Sequence, residues 1–189
     1  DGILTQFHIS NWSVYGINYL LMAKAARGEK QNETIAELMK RLFGADTAEA
    51  EAFYKGIKKL LSDLDNCHIP YPYSLLSRSK IEDFYKIHTL AKKLLQKSPR
   101  SRFRSELLLW SEYLIRFKEL FDQYQARLLN ESQLDHFLEW IHAQQDKRIF
   151  VQDKFTVYFQ ALRDALRNGT EWLHFNLDWE DEYIRQHRQ

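Results

Sequence analysis

Residues 102–128 read Arg-Phe-Arg-Ser-Glu-Leu-Leu-Leu-Trp-Ser-Glu-Tyr-Leu-Ile-Arg-Phe-Lys-Glu-Leu-Phe-Asp-Gln-Tyr-Gln-Ala-Arg-Leu, and this stretch decides the fold. Phe103, Leu107, Trp110, Leu114, Phe117, Phe121, Tyr124 and Leu128 recur in alternating steps of four and three. That spacing keeps one apolar stripe on one side of an α-helix of about 26 residues, roughly 39 Å long. A helix of that length normally forms the spine of an antiparallel bundle, and the flanking sequence supplies its neighbours. Helices are predicted at 80–97, stopped near Pro99, at about 133–147, and at about 154–168, ending at Gly169.

Working back from the spine, the stretch from Cys67 to Ser77 is the clearest loop. Pro70 and Pro72 there restrict Ile69 and Tyr71 to extended conformations. Thr47 opens a helix that carries Phe53, Ile57, Leu60, Leu61 and Leu64 on one face. Asn32 caps another helix through about Phe43, closed by Gly44. Glu37→Arg41, Glu51→Lys55, Glu82→Lys86 and Glu112→Arg116 are spaced for i,i+4 ion pairs on solvated faces.

The first segment differs. Ile3-Leu4-Thr5-Gln6-Phe7-His8-Ile9 is β-prone and gives way to a helix from about Trp12 to Arg27, stopped at Gly28. One strand alone would leave its backbone groups unpaired. Either this segment is no strand or its partners lie outside the 189 residues. The expected organisation is therefore a strand–helix unit over 1–28 and an antiparallel, all-α bundle of six to eight helices over 29–189.

Composition agrees with a helical chain. Gly (6) and Pro (3) are too few to supply the turns of a sandwich or barrel. Lys and Arg number 27 against 26 Asp and Glu, so no global field would hold a nucleic acid or an anionic membrane. No apolar run approaches the ~18 residues of a membrane span. Cys67 is the only cysteine, which excludes an intrachain disulfide. Its neighbour His68 does not by adjacency place a base against the thiol.

The familiar signatures of nucleotide, zinc-protease and serine-hydrolase chemistry are absent. Glu139-Trp140-Ile141-His142 and Glu171-Trp172-Leu173-His174 are both E-x-x-H. At i,i+3 each could offer a carboxylate and an imidazole to one ion, as in carboxylate-bridged di-metal bundles. Such a centre also needs a Glu from each of two other helices. The spine offers Glu106, Glu112 and Glu119, whereas 154–168 offers only Asp164, with Asp153 at its start. Packing accounts equally well for the aromatic in each motif.

Other residues have bland readings beside the sharp ones. His88 shares a face with Ile81, Phe84, Ala91 and Leu95, which suits a hydrogen-bonded core histidine. Lys97, Arg100, Arg102 and Arg104 crowd the start of the spine, as an anion site or, more simply, a solvated basic turn. Asp178 to Glu182 reads as the acidic first turn of a last helix. Sequons at Asn11, Asn32, Asn130 and Asn168 fall at predicted turns or caps, where Asn is expected anyway.

The strand–helix unit holds the better functional clue. It places His8, Asn11, Trp12 and Tyr15 near a strand's C-terminal end, where α/β barrels carry their sites and where Trp stacks on sugar rings. Packing of Trp12 and Tyr15 beneath the bundle is the alternative.

The order of segments resembles that of large bacterial glycoside-hydrolase-type proteins carrying a domain of unknown function. Asn11-Trp12-Ser13-Val14-Tyr15-Gly16-Ile17-Asn18-Tyr19-Leu20 and Met22-Ala23-Lys24-Ala25-Ala26 are similar to their last barrel helix. Asn32–Gly44 and Ala48–Leu61 resemble the short helix, "FG-A" turn and long helix that follow. Lys80–Ser98 and Arg102–Tyr113 resemble the next pair. The likeness covers about residues 7–125 and includes no catalytic motif. Arg27-Gly28-Glu29-Lys30 departs from the aromatic-acidic stretch usual after the barrel helix.

The resemblance implies an α-glucuronidase- or β-hexosaminidase-like barrel upstream and a periplasmic or secreted location. The chain would be a C-terminal helical region packed on that barrel, bracing a carbohydrate site that His8, Asn11, Trp12 and Tyr15 touch. The paired catalytic carboxylates would then lie outside these residues, and no cofactor is expected. The competing readings are the di-metal bundle and a helical protein-interaction module that seats a partner helix.

Overall fold

The computed structural model of the chain describes residues 23–28, 31–62, 79–144 and 152–170. Six helices are described: α1 Gln31–Phe43, α2 Thr47–Ser62, α3 Ile81–Lys97, α4 Arg102–Gln125, α5 Glu131–Ala143 and α6 Gln152–Asn168. A 3₁₀ turn over Gly44–Asp46 joins α1 to α2. No strand occurs among the described residues, which form an all-α bundle. None of these helices is long and apolar enough to cross a membrane. The predicted 3–9 strand, the 67–77 loop, Leu64 and the acidic 178–182 turn lie outside the described residues.

Each helix packs on its chain neighbour. The pairs α2–α3, α3–α4 and α5–α6 run antiparallel. In α2–α3, Glu49 meets Lys97 while Gly56 lies against Ile87. In α3–α4, Leu94 meets Arg104, His88 meets Ser111, and Tyr85 meets Glu119. In α5–α6, Glu131 meets Arg167 and Asp135 meets Arg163. Close approach explains Gly56, because a Cβ there would stand 3.2 Å from the Ile87 side chain.

The spine is buried nearly all round rather than along one stripe. Leu107, Trp110, Leu114, Phe117 and Phe121 sit in the core as the spacing predicts. Leu109, Tyr113, Ile115 and Leu120, off that stripe, are buried too. A helix covered on several sides belongs in the middle of a layered bundle, with α3 on one flank and α5 on another. Phe117, Phe137 and Phe159 are the contact between α4, α5 and α6, with ring centroids 5.0–6.0 Å apart in edge and stacked geometries. Such pairs add to area burial because the positive ring edge meets the negative ring face.

The ends show why the helices stop where they do. Gly28, Gly44 and Gly169 take positive φ, as expected of residues just past a helix. The α4 terminus is different. The apolar spacing runs on to Leu128, yet the helix ends at Gln125 and Leu128 is 70% exposed. Arg127 adopts φ 58°, so the Leu128 N–H donates to Gln123 O and the Arg127 N–H to Tyr124 O. This double closure reverses the chain through a left-handed residue, normally glycine. At α5, Asn130 and Gln133 cap each other's backbone reciprocally, which answers the Asn130 sequon as a cap.

Arg127→Gly is expected to raise the unfolding free energy by about 0.5–1 kcal/mol, because an L side chain is strained in the left-handed region. Urea unfolding of the two proteins checks this. An unchanged or lower midpoint would mean that the Arg127 side chain contributes more than its backbone costs.

Candidate functional site

The basic cluster at the start of the spine divides: Lys97, Arg100 and Arg102 are exposed, as a solvated turn predicts, and Arg104 is not. Arg104 points inward and is 7% exposed. Its Nη1 donates to Asp46 Oδ2 at 2.7 Å and to Leu94 O at 2.8 Å, while Nη2 reaches Phe43 O at 3.5 Å. The guanidinium also lies 5.7 Å from the Phe43 ring centroid. Lys97 pairs with Asp46 at 3.2 Å and with Glu49. Two cations from the α3–α4 corner thus meet two carboxylates from the α1–α2 corner, forming a clasp across the bundle's end. Arg102 turns outward to Glu106.

Electrostatics within the clasp follow from that pairing. The Arg104 guanidinium beside Asp46 holds its carboxyl below the usual carboxylate range. Lys97 does the same for Glu49 and is itself raised by Glu49 and Asp46. Mutual neutralisation of this kind leaves little field for an external anion.

His88 lies beside the core face of α3, which is Phe84, Ile87, Ala91 and Leu94. Of the expected face of Ile81, Phe84, His88, Ala91 and Leu95, Phe84 and Ala91 are buried and Ile81 packs on the core, while Ile87 and Leu94 are buried in place of His88 and Leu95. The ring Nδ1 is 3.1 Å from Ser111 Oγ, and that hydroxyl donates to Leu108 O. Ser111 is consequently an acceptor toward His88, and its proton is committed to its own helix. Burial pushes the imidazole pKa down, against an opposing pull from Glu112. This is a hydrogen-bonded histidine at the core's edge.

The E-x-x-H motif of α5 presents Glu139 and His142 on the exposed face. Trp140 between them is half-buried, stacked against Phe137 at 6.5 Å and covered by the Arg116 guanidinium 4.7 Å from its ring. Of the carboxylates considered as further ligands, Glu106 binds Arg102, Glu112 binds Arg116 and Glu119 accepts from Tyr85. Asp164 accepts from Gln160 at 2.9 Å. No group of three or more His, Cys, Asp or Glu suited to an ion occurs among the described residues. Glu171 and His174, like Cys67, His68, His8, Asn11, Trp12 and Tyr15, lie outside them.

The sequence reading missed the outer side of α3. Tyr85 is 46% exposed there and donates its hydroxyl to Glu119 Oε1 at 2.8 Å. Beside it runs an open groove of about 570 Å³, lined by Glu82, Tyr85, Lys86, Thr89 and Leu90. Tyr85 was legible as an aromatic on the charged face of a helix, at i,i+4 to Thr89. No family model, curated protein or solved structure matches the chain.

Proposed function

We propose that the chain is a C-terminal helical accessory region of a carbohydrate-processing enzyme, packed on the unit that precedes it and bracing the rim of a sugar site. The observation that supports this reading is the tie across Gly28. Lys24, in the last turn before that glycine, donates to Glu37 of α1 at 3.2 Å, and its side chain is only 20% exposed. Glu37 was expected to pair with Arg41 within α1 and instead reaches back to the preceding segment. Such an ion pair ties the residues just before Gly28 to α1, a link that an accessory region packed on a preceding unit would make. The partner would be the upstream barrel, and His8, Asn11, Trp12 and Tyr15 would meet the carbohydrate.

The test is the size of the polypeptide in its natural source, by denaturing gel with peptide mapping. A band far above 22.7 kDa, with peptides preceding Asp1 that carry paired carboxylates, supports the reading. A natural product near 22.7 kDa sinks it. In the longer protein, Trp12→Ala weakens sugar binding if Trp12 touches substrate. Unchanged kinetics with a lower melting temperature would make it a core residue.

A further inference from the structure

The outer side of α3 carries two charges that their own helix does not answer. Glu82 was expected to pair with Lys86, but Lys86 binds Asp83 Oδ1 at 3.0 Å instead. Glu82 has no ion-pair partner among the described residues, and neither has Lys93; both are exposed. Glu51–Lys55, Arg102–Glu106 and Glu112–Arg116 make the i,i+4 closure that Glu82 and Lys86 do not, and Lys92 on the same helix is likewise exposed without an ion-pair partner among the described residues. Three helical turns separate Glu82 from Lys93, about 16 Å, and bring them back to the same side of the helix. Between them lies the groove of Tyr85, Lys86, Thr89 and Leu90.

This surface is complementary to itself when turned end for end. An isologous contact requires that whatever residue i meets, its mate meets in return. With two copies of α3 antiparallel, Glu82 of each stands opposite Lys93 of the other. Residues 86 and 89, and 85 and 90, are symmetric about the same midpoint, so groove lies against groove. Lys86 does not repel its counterpart strongly, because Asp83 already answers its charge. Tyr85 offers its ring, since its hydroxyl is committed to Glu119. Acidic end to basic end is satisfied twice in this arrangement and in no parallel one.

We infer that the chain forms an antiparallel homodimer through the outer face of α3, with Glu82 and Lys93 as reciprocal partners about the Tyr85–Thr89 groove. One helix face buries less than a standard stable interface, so the dimer is weak and concentration-dependent. The inference does not rest on the accessory-region reading.

Sedimentation equilibrium of the full chain over a wide concentration range tests it. The wild-type chain is expected to pass from monomer to dimer. Glu82→Lys and Lys93→Glu each place like charges opposite and weaken the dimer about tenfold or more. An equimolar mixture of the two variants restores it, because lysine at 82 then faces glutamate at 93 and the reverse holds for the mate. The double variant Glu82→Lys/Lys93→Glu also recovers it. Helical circular dichroism, unchanged in every variant, shows that folding is intact. A wild-type chain that stays monomeric at its highest soluble concentration overturns the inference. So do single variants that dimerise like the wild type, or a mixture that fails to recover.

Discussion

Phe117→Ala is expected to cost about 3–5 kcal/mol of unfolding free energy, the largest effect of any single truncation proposed for this protein. Phe117 is 1% exposed, and its ring is shared by three helices through Phe137, Phe159 and Tyr113. Truncation removes the transfer energy of the ring and leaves a cavity lined by aromatics too large to collapse into it. Phe117→Leu fills most of that space and should lose much less. Urea unfolding measures both. A loss below about 1 kcal/mol for the alanine variant would mean that α5 and α6 are not held to α4 by this cluster. Phe117→Ala and Phe159→Ala should also be non-additive, since the rings are in direct contact.

The second large effect is at Arg104. Arg104→Ala should cost about 3 kcal/mol, because it strips a partner from Asp46 and leaves the Leu94 and Phe43 carbonyls without their donor. Arg104→Lys keeps the charge but lacks the planar fork whose second nitrogen reaches Phe43 O while the first holds Asp46 and Leu94, so it should fall between Arg104→Ala and the wild type. The acid dependence is the distinguishing readout. Asp46 and Glu49 have folded pKa values below their unfolded ones. Their contribution is therefore fully present above the ordinary carboxylate pKa near 4 and is lost as pH falls through the lowered folded values. In Arg104→Ala the acid limb of the stability curve should be shallower, since Arg104 is the main cause of the Asp46 shift. An acid limb identical to wild type would show that Asp46 is held by Lys97 alone.

Much of the architecture is written in local spacing. The four-and-three step of Phe103 to Phe121 marks the spine, and Gly28, Gly44, Pro99 and Gly169 mark where helices stop. The sequence could not show that Arg127 would end α4, because nothing in an arginine advertises positive φ. It could not show the clasp either. Asp46 and Arg104 are far apart in the chain, and i,i+4 rules see only neighbours on one helix. The same blindness explains Glu37, which spurns Arg41 for Lys24, and Lys86, which prefers Asp83 to Glu82. Spacing rules say which pairs are possible on a helix, whereas packing against a second helix selects among them. Of the candidate sites, Glu139 and His142 proved to be surface residues flanking a packed Trp140.

The neighbour-by-neighbour packing of the helices has a consequence for how the protein is made. Each described helix rests on the one translated just before it, and the links from Phe43 and Asp46 to α4 are complete once α4 is made. The clasp needs nothing beyond residue 104, and the aromatic contact of Phe43 with Tyr54 and Phe103 needs nothing beyond α4. A nascent chain that has cleared the ribosome through α4 can therefore close its first half while α5 and α6 are still being synthesised. The later pair then docks on the Phe117 side of a spine already in place. Such packing allows assembly in the direction of translation, with the spine as the template for α5 and α6.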